Sequence, residues 1–124
     1  MNSLTHDPVL VNYTYRNLSA FLNDASIQIH ETAKEKGWWD NERSDGELLM
    51  LVVSEVAEAC EALRAGNPPD DKIPEFSGAE AELADTVIRI MDLCQARGWR
   101  LGEAIAAKVK YNATRSHKHG GKLF

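Results

Sequence analysis

The chain has 124 residues and a net charge of −5, which fits one domain and excludes bulk attraction to nucleic acid or an anionic membrane. With 44% apolar and 27% charged residues it has the composition of a globular protein, and no apolar run is long enough for a membrane span. Cys60 and Cys94 lie in helical patterns, which predicts buried, reduced thiols in a cytoplasmic protein. The N-terminal residues lack the basic start and apolar run of a signal peptide, so we expect no leader.

The first predicted helix covers residues 13–36, where apolar residues recur at steps of three and four and Gly37 supplies a stop. Residues 1–12 are predicted to form an N-terminal arm. The second helix begins at Ser44, which has capping-box spacing to Glu47, and ends at Arg64 before a glycine and two prolines.

The third helix opens with another capping box, Ser77 to Glu80, and ends at Gly98. The fourth covers residues 101–115, and residues 116–124 are predicted to be a loop-like tail. No segment has a strand period, and short connections favour antiparallel neighbours. The sequence therefore predicts a single all-α domain over residues 1–124, a four-helix antiparallel bundle whose apolar faces favour a homo-oligomer.

The second helix carries three glutamates in an apolar run. At 100° per residue Glu55 falls in the middle of the predicted core face, Glu58 at its edge and Glu61 on the opposite side. That face comprises Leu48, Leu51, Val52, Ala59, Ala62 and Leu63. A carboxylate there needs a cation, either an arginine, a lysine or a metal ion.

The third helix supplies a second acidic pair, Glu82 and Asp85. Its predicted apolar face comprises Leu83, Val87, Ile90, Met91 and Cys94, and the acidic pair lies on the polar side with Arg89 and Asp92. One interpretation is a solvated face with an Asp85–Arg89 pair. The other is four carboxylates around one or two divalent cations. Because neither helix has a Glu-x-x-His pair, the oxygen donors favour Mg²⁺ or Mn²⁺ over iron or zinc.

The fourth helix places Lys108, Asn112 and Arg115 on the face of Leu101 and Ile105. These groups either bind a phosphate chain or form a basic helix C-terminus that interacts favourably with the helix dipole.

The motif Glu55-x-x-Glu58, a 23-residue spacer, and Glu82-x-x-Asp85 resembles the signature of the MazG-like all-α nucleoside triphosphate pyrophosphohydrolases. The segment KVKYNATRSHKHGGK also resembles that family, and the similarity covers residues 30–122. The resemblance implies dimers or tetramers and Mg²⁺-dependent hydrolysis of (deoxy)nucleoside triphosphates to monophosphate and pyrophosphate. Its implied metal ligands are Glu55, Glu58, Glu82 and Asp85.

Within this resemblance, Glu55 and Glu58 are the predicted catalytic residues. Glu55 is the expected base, because an apolar setting would raise its pKa. Lys108 and Arg115 are expected at the phosphates. Trp38 or Trp39, His30 and Asn112 are expected at the base or sugar, with core or interface packing the alternative for the tryptophans and a merely exposed side chain the alternative for His30.

The predicted function is removal of unwanted nucleotides from the cytoplasmic pool, with a nucleoside triphosphate as substrate and neither nucleic-acid polymer nor membrane as partner. Two alternatives are a phosphoribosyl-ATP pyrophosphatase-like enzyme and a non-catalytic helical dimer that binds nucleotide. Turnover with Mg²⁺ separates the second alternative from the enzymes.

Overall fold

A computed structural model describes residues 8–124, with side chains from Tyr15 onward. Its helices are α1 (Pro8–Glu35), α2 (Asp45–Arg64), α3 (Gly78–Arg97), α4 (Leu101–Ala113) and the short α5 (Lys118–Gly121). The described chain contains no strand beyond one isolated bridge between Pro69 and Ser77. The all-α prediction is confirmed. None of the described helices is long and apolar enough to cross a membrane.

Two helix boundaries differ from the prediction. Helix α1 begins at Pro8, five residues earlier than expected, since proline is well suited to a first helical turn. The predicted arm is thus helical from residue 8, and residues 1–7 lie outside the described part. The tail forms an irregular turn, because His119 and Gly120 have positive φ values of 53° and 95° inside α5.

The ends of α2 and α3 follow local sequence signals. The Ser44 hydroxyl accepts the Glu47 N–H at the start of α2. At the start of α3, Ser77 accepts the Glu80 N–H and the Glu80 carboxylate accepts the Ser77 N–H, which completes the capping box. Gly98 ends α3 in the left-handed conformation, with φ 68°, which glycine adopts without a steric penalty.

The chain divides into two compact units, and α1 contributes to both. In the unit Ser26–Trp99, α2 and α3 form an antiparallel hairpin. Asp45 pairs with Arg97 near one end, Glu55 pairs with Arg89 in the middle, and the Asn67 side chain accepts the Ala79 N–H at the other end. The buried apolar residues of the hairpin are Leu48, Ala59, Ala79, Ala81, Met91, Leu93 and Cys94.

Part of the predicted core face is wrong. A Cβ at Gly78 would lie 3.0 Å from Ala62 Cβ, so the two helices are close at that end. The side of α3 that is buried carries Ala79, Ala81, Met91, Leu93 and Cys94, which leaves other predicted core residues exposed. Leu63, Leu83 and Val87 are exposed by 61%, 52% and 52%. Cys60 is exposed as well, and only Cys94 is buried, although both are free thiols.

In the other unit, α1 contacts α4 at Ser19 and Asn23. The Asn23 side chain accepts the Gly102 N–H at 3.2 Å and donates to the Glu103 carboxylate. A Cβ at Gly102 would lie 2.5 Å from the Ser19 carbonyl oxygen. Position 102 therefore requires glycine for this close approach of the two helices.

Candidate metal centre and ligand cleft

Three carboxylates from α2 and α3 converge in the unit Ser26–Trp99. Glu55, Glu82 and Asp85 each offer an oxygen within 4.8 Å of the others, and we call these three residues the acidic cluster. Glu55 is buried at 7% exposure, Glu82 is half-buried and Asp85 is exposed. The antiparallel hairpin brings them together, because Glu55 faces α3 while Glu82 and Asp85 lie one turn apart on α3.

Arg89 is the cation that Glu55 meets in the described structure. Its Nε donates to Glu55 Oε1 at 2.7 Å, with the Arg89 side chain 36% and the Glu55 side chain 10% exposed. The anticipated Asp85–Arg89 ion pair is not formed, because Arg89 reaches across to α2. Glu82 and Asp85 both approach Glu55, while Asp85 remains exposed to solvent.

The carboxyls of this region perturb one another. Burial, together with hydrogen bonds to Glu55 and Glu58 and the charges of both, raises the pKa of Glu82 to about 7. Burial and the charge of Glu55 also raise the pKa of Asp85, against the opposing charge of Arg89. Glu82 and Asp85 therefore bind protons more readily than isolated carboxyls do.

Glu55 behaves in the opposite way from its sequence-based expectation. Burial acts to raise its pKa, but hydrogen bonds from Arg89, Glu82 and Glu58 outweigh burial, and the pKa of Glu55 lies below its usual value. The rise in pKa that the sequence predicted for Glu55 is found at Glu82 instead. Glu58 is exposed and lies outside the acidic cluster, yet its proximity contributes to the lowered pKa of Glu55 and to the raised pKa of Glu82.

A cleft of about 300 Å³ opens beside the acidic cluster. Glu55 and Asp85 lie in its wall, and so do the cationic side chains Lys36, Arg43 and Arg89. The remaining wall is formed by Ile29, Thr32, Ala33, Trp38, Ile88 and Asp92. Acidic and basic groups thus share one cavity, an arrangement that suits an anionic ligand carrying a divalent cation.

Asp92 connects two of the residues predicted to contact a nucleoside. His30 Nδ1 lies 2.7 Å from Asp92 Oδ1, and the Trp39 indole N–H donates to both oxygens of Asp92 at 3.0 and 3.1 Å. The His30 and Trp39 rings make an edge contact with centroids 5.3 Å apart. His30 and Trp39 are therefore held by Asp92, and of these three residues only Asp92 is in the cleft wall.

The two adjacent tryptophans have different surroundings. Trp39 is half-buried, and the guanidinium groups of Arg43 and Arg97 lie 5.3 and 5.7 Å from its ring centroid. Trp39 therefore packs against other side chains of the protein, which is the alternative to stacking on a base. Trp38 is 61% exposed and lies in the cleft wall, so its indole face is available to a planar ligand.

The predicted residues of the fourth helix belong to the other unit. Lys108 and Arg115 both approach the Tyr111 ring, at 5.5 and 5.8 Å from its centroid. Asn112 is exposed. The phosphate-binding role of Lys108 and Arg115 and the base or sugar role of Asn112 stay predictions.

Sequence reasoning missed Lys36, Arg43, Arg89 and Asp92 as residues of the site. Arg89 and Asp92 follow Asp85 at four and seven residues, so helical periodicity alone would place all three on one face of α3. Lys36 and Arg43 flank the loop between α1 and α2, and their position in the cleft depends on tertiary packing.

The acidic cluster fits a hard divalent cation. Its donors are all oxygen, they come from two helices and they lie within 4.8 Å of one another. Burial and the neighbouring carboxyls Glu55 and Glu58 raise the pKa of Glu82 to about 7, and a bound cation would oppose that rise. Residues of this kind would hold Mg²⁺ or Mn²⁺.

Comparison of this chain with protein-family models, with curated proteins and with solved structures found no match.

Proposed function

We propose that the protein is a Mg²⁺-dependent nucleoside triphosphate pyrophosphohydrolase of the MazG-like kind. The observation that carries this proposal is the acidic cluster, of which Glu55 and Asp85 lie in the wall of a cleft that also contains three cationic side chains and an exposed tryptophan. A triphosphate needs a divalent cation and positive side chains, and a base needs an aromatic surface. The sequence motif that resembles this family contains the same carboxylates.

In this proposal, Glu55, Glu82 and Asp85 hold the cation, with Glu58 as the fourth ligand on the exposed side. Bound Mg²⁺ would neutralise and orient the triphosphate and make a bound water easier to deprotonate. Mn²⁺ would substitute, because it accepts the same oxygen ligands.

The remaining roles fall to side chains of the protein itself. Arg89 keeps Glu55 ionised by its 2.7 Å hydrogen bond, so Glu55 serves as a charged ligand. Glu58 is exposed and lies one helical turn from Glu55, and it accepts the proton of the attacking water. Lys36 and Arg43 bind phosphate oxygens from the cleft wall. The phosphate-binding role of Lys108 and Arg115 rests on the family resemblance alone.

The test is pyrophosphate release from a panel of ribo- and deoxyribonucleoside triphosphates with and without Mg²⁺. We expect release that depends on Mg²⁺. Glu55→Gln should lower the rate by at least about 100-fold because one charged ligand is lost. Glu61→Gln is the matched control, since Glu61 lies on the same helix in a surface pair with Arg64 and is 69% exposed.

The outcomes separate the alternatives. Full activity of Glu55→Gln would refute the metal assignment. Nucleotide binding without turnover would favour the non-catalytic binder, and turnover of phosphoribosyl-ATP alone would favour the biosynthetic enzyme. Release from ordinary or damaged triphosphates fits a role in clearing the cytoplasmic nucleotide pool.

We also propose a homodimer or homotetramer. Helix α2 exposes an apolar stripe, Leu49, Val53, Val56 and Leu63, between 48% and 61% exposed. Residues at these spacings lie along one side of a helix, and such a stripe favours association with another copy. Sedimentation should give a mass at least twice 13.8 kDa, and Val53→Glu should reduce it. A monomer at micromolar concentration would refute this assembly.

A further inference from the structure

Asp92 forms a second, chemically different end of the cleft. Asp85 and Asp92 both lie in the cleft wall and are seven residues apart on α3, which corresponds to about 10 Å along a helix axis. At the Asp85 end several carboxylates suit a metal ion. At the other end, the single carboxylate of Asp92 lies within hydrogen-bonding distance of the ring nitrogens of His30 and Trp39. The separation is similar to that between the phosphates and the base of an extended nucleotide.

The hydrogen bonds of Asp92 fix its carboxylate and leave part of it open. His30 and Trp39 both bond Oδ1, while Oδ2 shares only the Trp39 N–H at 3.1 Å. A carboxylate offers about four acceptor positions on its two oxygens, so Oδ2 can accept another donor. The Asp92 side chain is 16% exposed and lies in the cleft wall, where a ligand reaches it.

We propose that Asp92 makes the cleft selective for a nucleotide whose base presents an amino group, as cytosine and adenine do. A carboxylate accepts hydrogen bonds and donates none when ionised, so it attracts an exocyclic N–H and repels a carbonyl oxygen at the same place. Asp92 is then a specificity-determining residue. This inference rests on the proposed function, because it names the substrate class of that cleft.

Two further features make such selection effective. The contacts with His30 and Trp39 hold Asp92 in one orientation, so little reorganisation is needed when the ligand binds. The exposed indole of Trp38 in the same cleft provides a face on which a base of either size can stack. Stacking binds every base, whereas Asp92 distinguishes amino from oxo substituents.

The experiment compares matched substrates that differ at the amino position. The pairs are dCTP with dUTP and ATP with ITP, because each pair exchanges an amino for an oxo group with little change in size. We expect the amino member of at least one pair to have a kcat/KM higher by about 10- to 100-fold. A ratio near one, or a preference for the oxo member in both pairs, would overturn the inference.

Asp92→Asn separates recognition from a purely structural role. The amide keeps the shape of the side chain but adds an N–H donor, so the preference should shift toward dUTP or ITP by at least about 10-fold. The ratio of two kcat/KM values does not depend on the fraction of folded enzyme. An equal loss for both members of a pair would show that Asp92 only supports the fold. Asp24→Asn, on the exposed surface of α1, is the control.

Failure of the proposed function is distinguishable from failure of this inference. If no triphosphate is hydrolysed, the function is wrong, and calorimetry with dCMP against dUMP and AMP against IMP tests the inference directly. Tighter binding of the amino member would support the role of Asp92 in a non-catalytic binder. Equal binding would refute it.

Discussion

Glu82→Gln should make the folded protein more stable at pH 8 and leave its stability at pH 5 little changed. In the folded chain the pKa of Glu82 is raised from 4.5 to about 7, by burial and by Glu55 and Glu58. Between pH 4.5 and about pH 7, Glu82 has released its proton in the unfolded chain but still holds it in the folded chain. Wild-type stability therefore falls as the pH rises from about 4.5 to 7 and is constant above that range.

The size of this effect follows from the pKa. A rise from 4.5 to about 7 corresponds to about 3 kcal/mol at about 1.4 kcal/mol per pH unit. Water in the open cleft screens the carboxyl, and the lowered pKa of Glu55 has the opposite effect on stability. We therefore expect a gain of about 1–3 kcal/mol for Glu82→Gln at pH 8.

Urea unfolding without divalent cations at pH 5 and pH 8 measures this difference. A gain of about 2 kcal/mol should move the midpoint at pH 8 by roughly 1 M. Glu61→Gln is the control, because Glu61 is exposed and paired with Arg64 on the surface. If Glu82→Gln changes stability equally at both pH values, the raised pKa is not the cause and the reasoning fails.

Three other predictions concern the same hairpin. Mg²⁺ should raise the unfolding midpoint of the wild type more at pH 8 than at pH 5, because protons compete for Glu82 and Asp85; equal shifts measured by calorimetry at both pH values would argue against this site. Arg89→Met should destabilise the protein by about 1–3 kcal/mol in urea, since it leaves the buried Glu55 charge unpaired, whereas Arg64→Met on the surface should have little effect. Ser77→Ala should destabilise it by about 1 kcal/mol through loss of the α3 cap, and an unchanged urea midpoint would show that the cap does not contribute.

The boundaries of α2 and α3 could be read from the sequence because their signals are local. Ser44, Ser77 and Gly98 each act within a few residues of the helix end, so no tertiary knowledge is required. The burial of Glu55 was likewise visible in helical periodicity. The sequence also placed Glu82 and Asp85 one turn apart, but their approach to Glu55 was only one of two interpretations until the family resemblance favoured it.

The features that were missed depend on contacts between distant residues. His30 and Asp92 are separated by 62 positions, and Glu55 and Arg89 by 34, so no local pattern pairs them. Arg89 had a plausible local partner in Asp85, and only the packing of α2 against α3 shows that it reaches Glu55. Similarly, Leu83 and Val87 are exposed because α3 packs on a different side, and periodicity alone does not show which side that is.

The buried glutamate in an apolar helix face has a two-part explanation. Arg89 balances the charge of Glu55, so a metal ion is not needed to account for Glu55 alone. Glu82 and Asp85 add two further carboxyls, and the pKa values of both are raised, although the charge of Arg89 partly opposes the rise for Asp85. Below pH 7 a proton on Glu82 relieves the repulsion. Above pH 7 a bound cation would relieve the same repulsion. The negative charge of Glu82 and Asp85 on α3 is therefore a stronger argument for a metal site than the burial of Glu55.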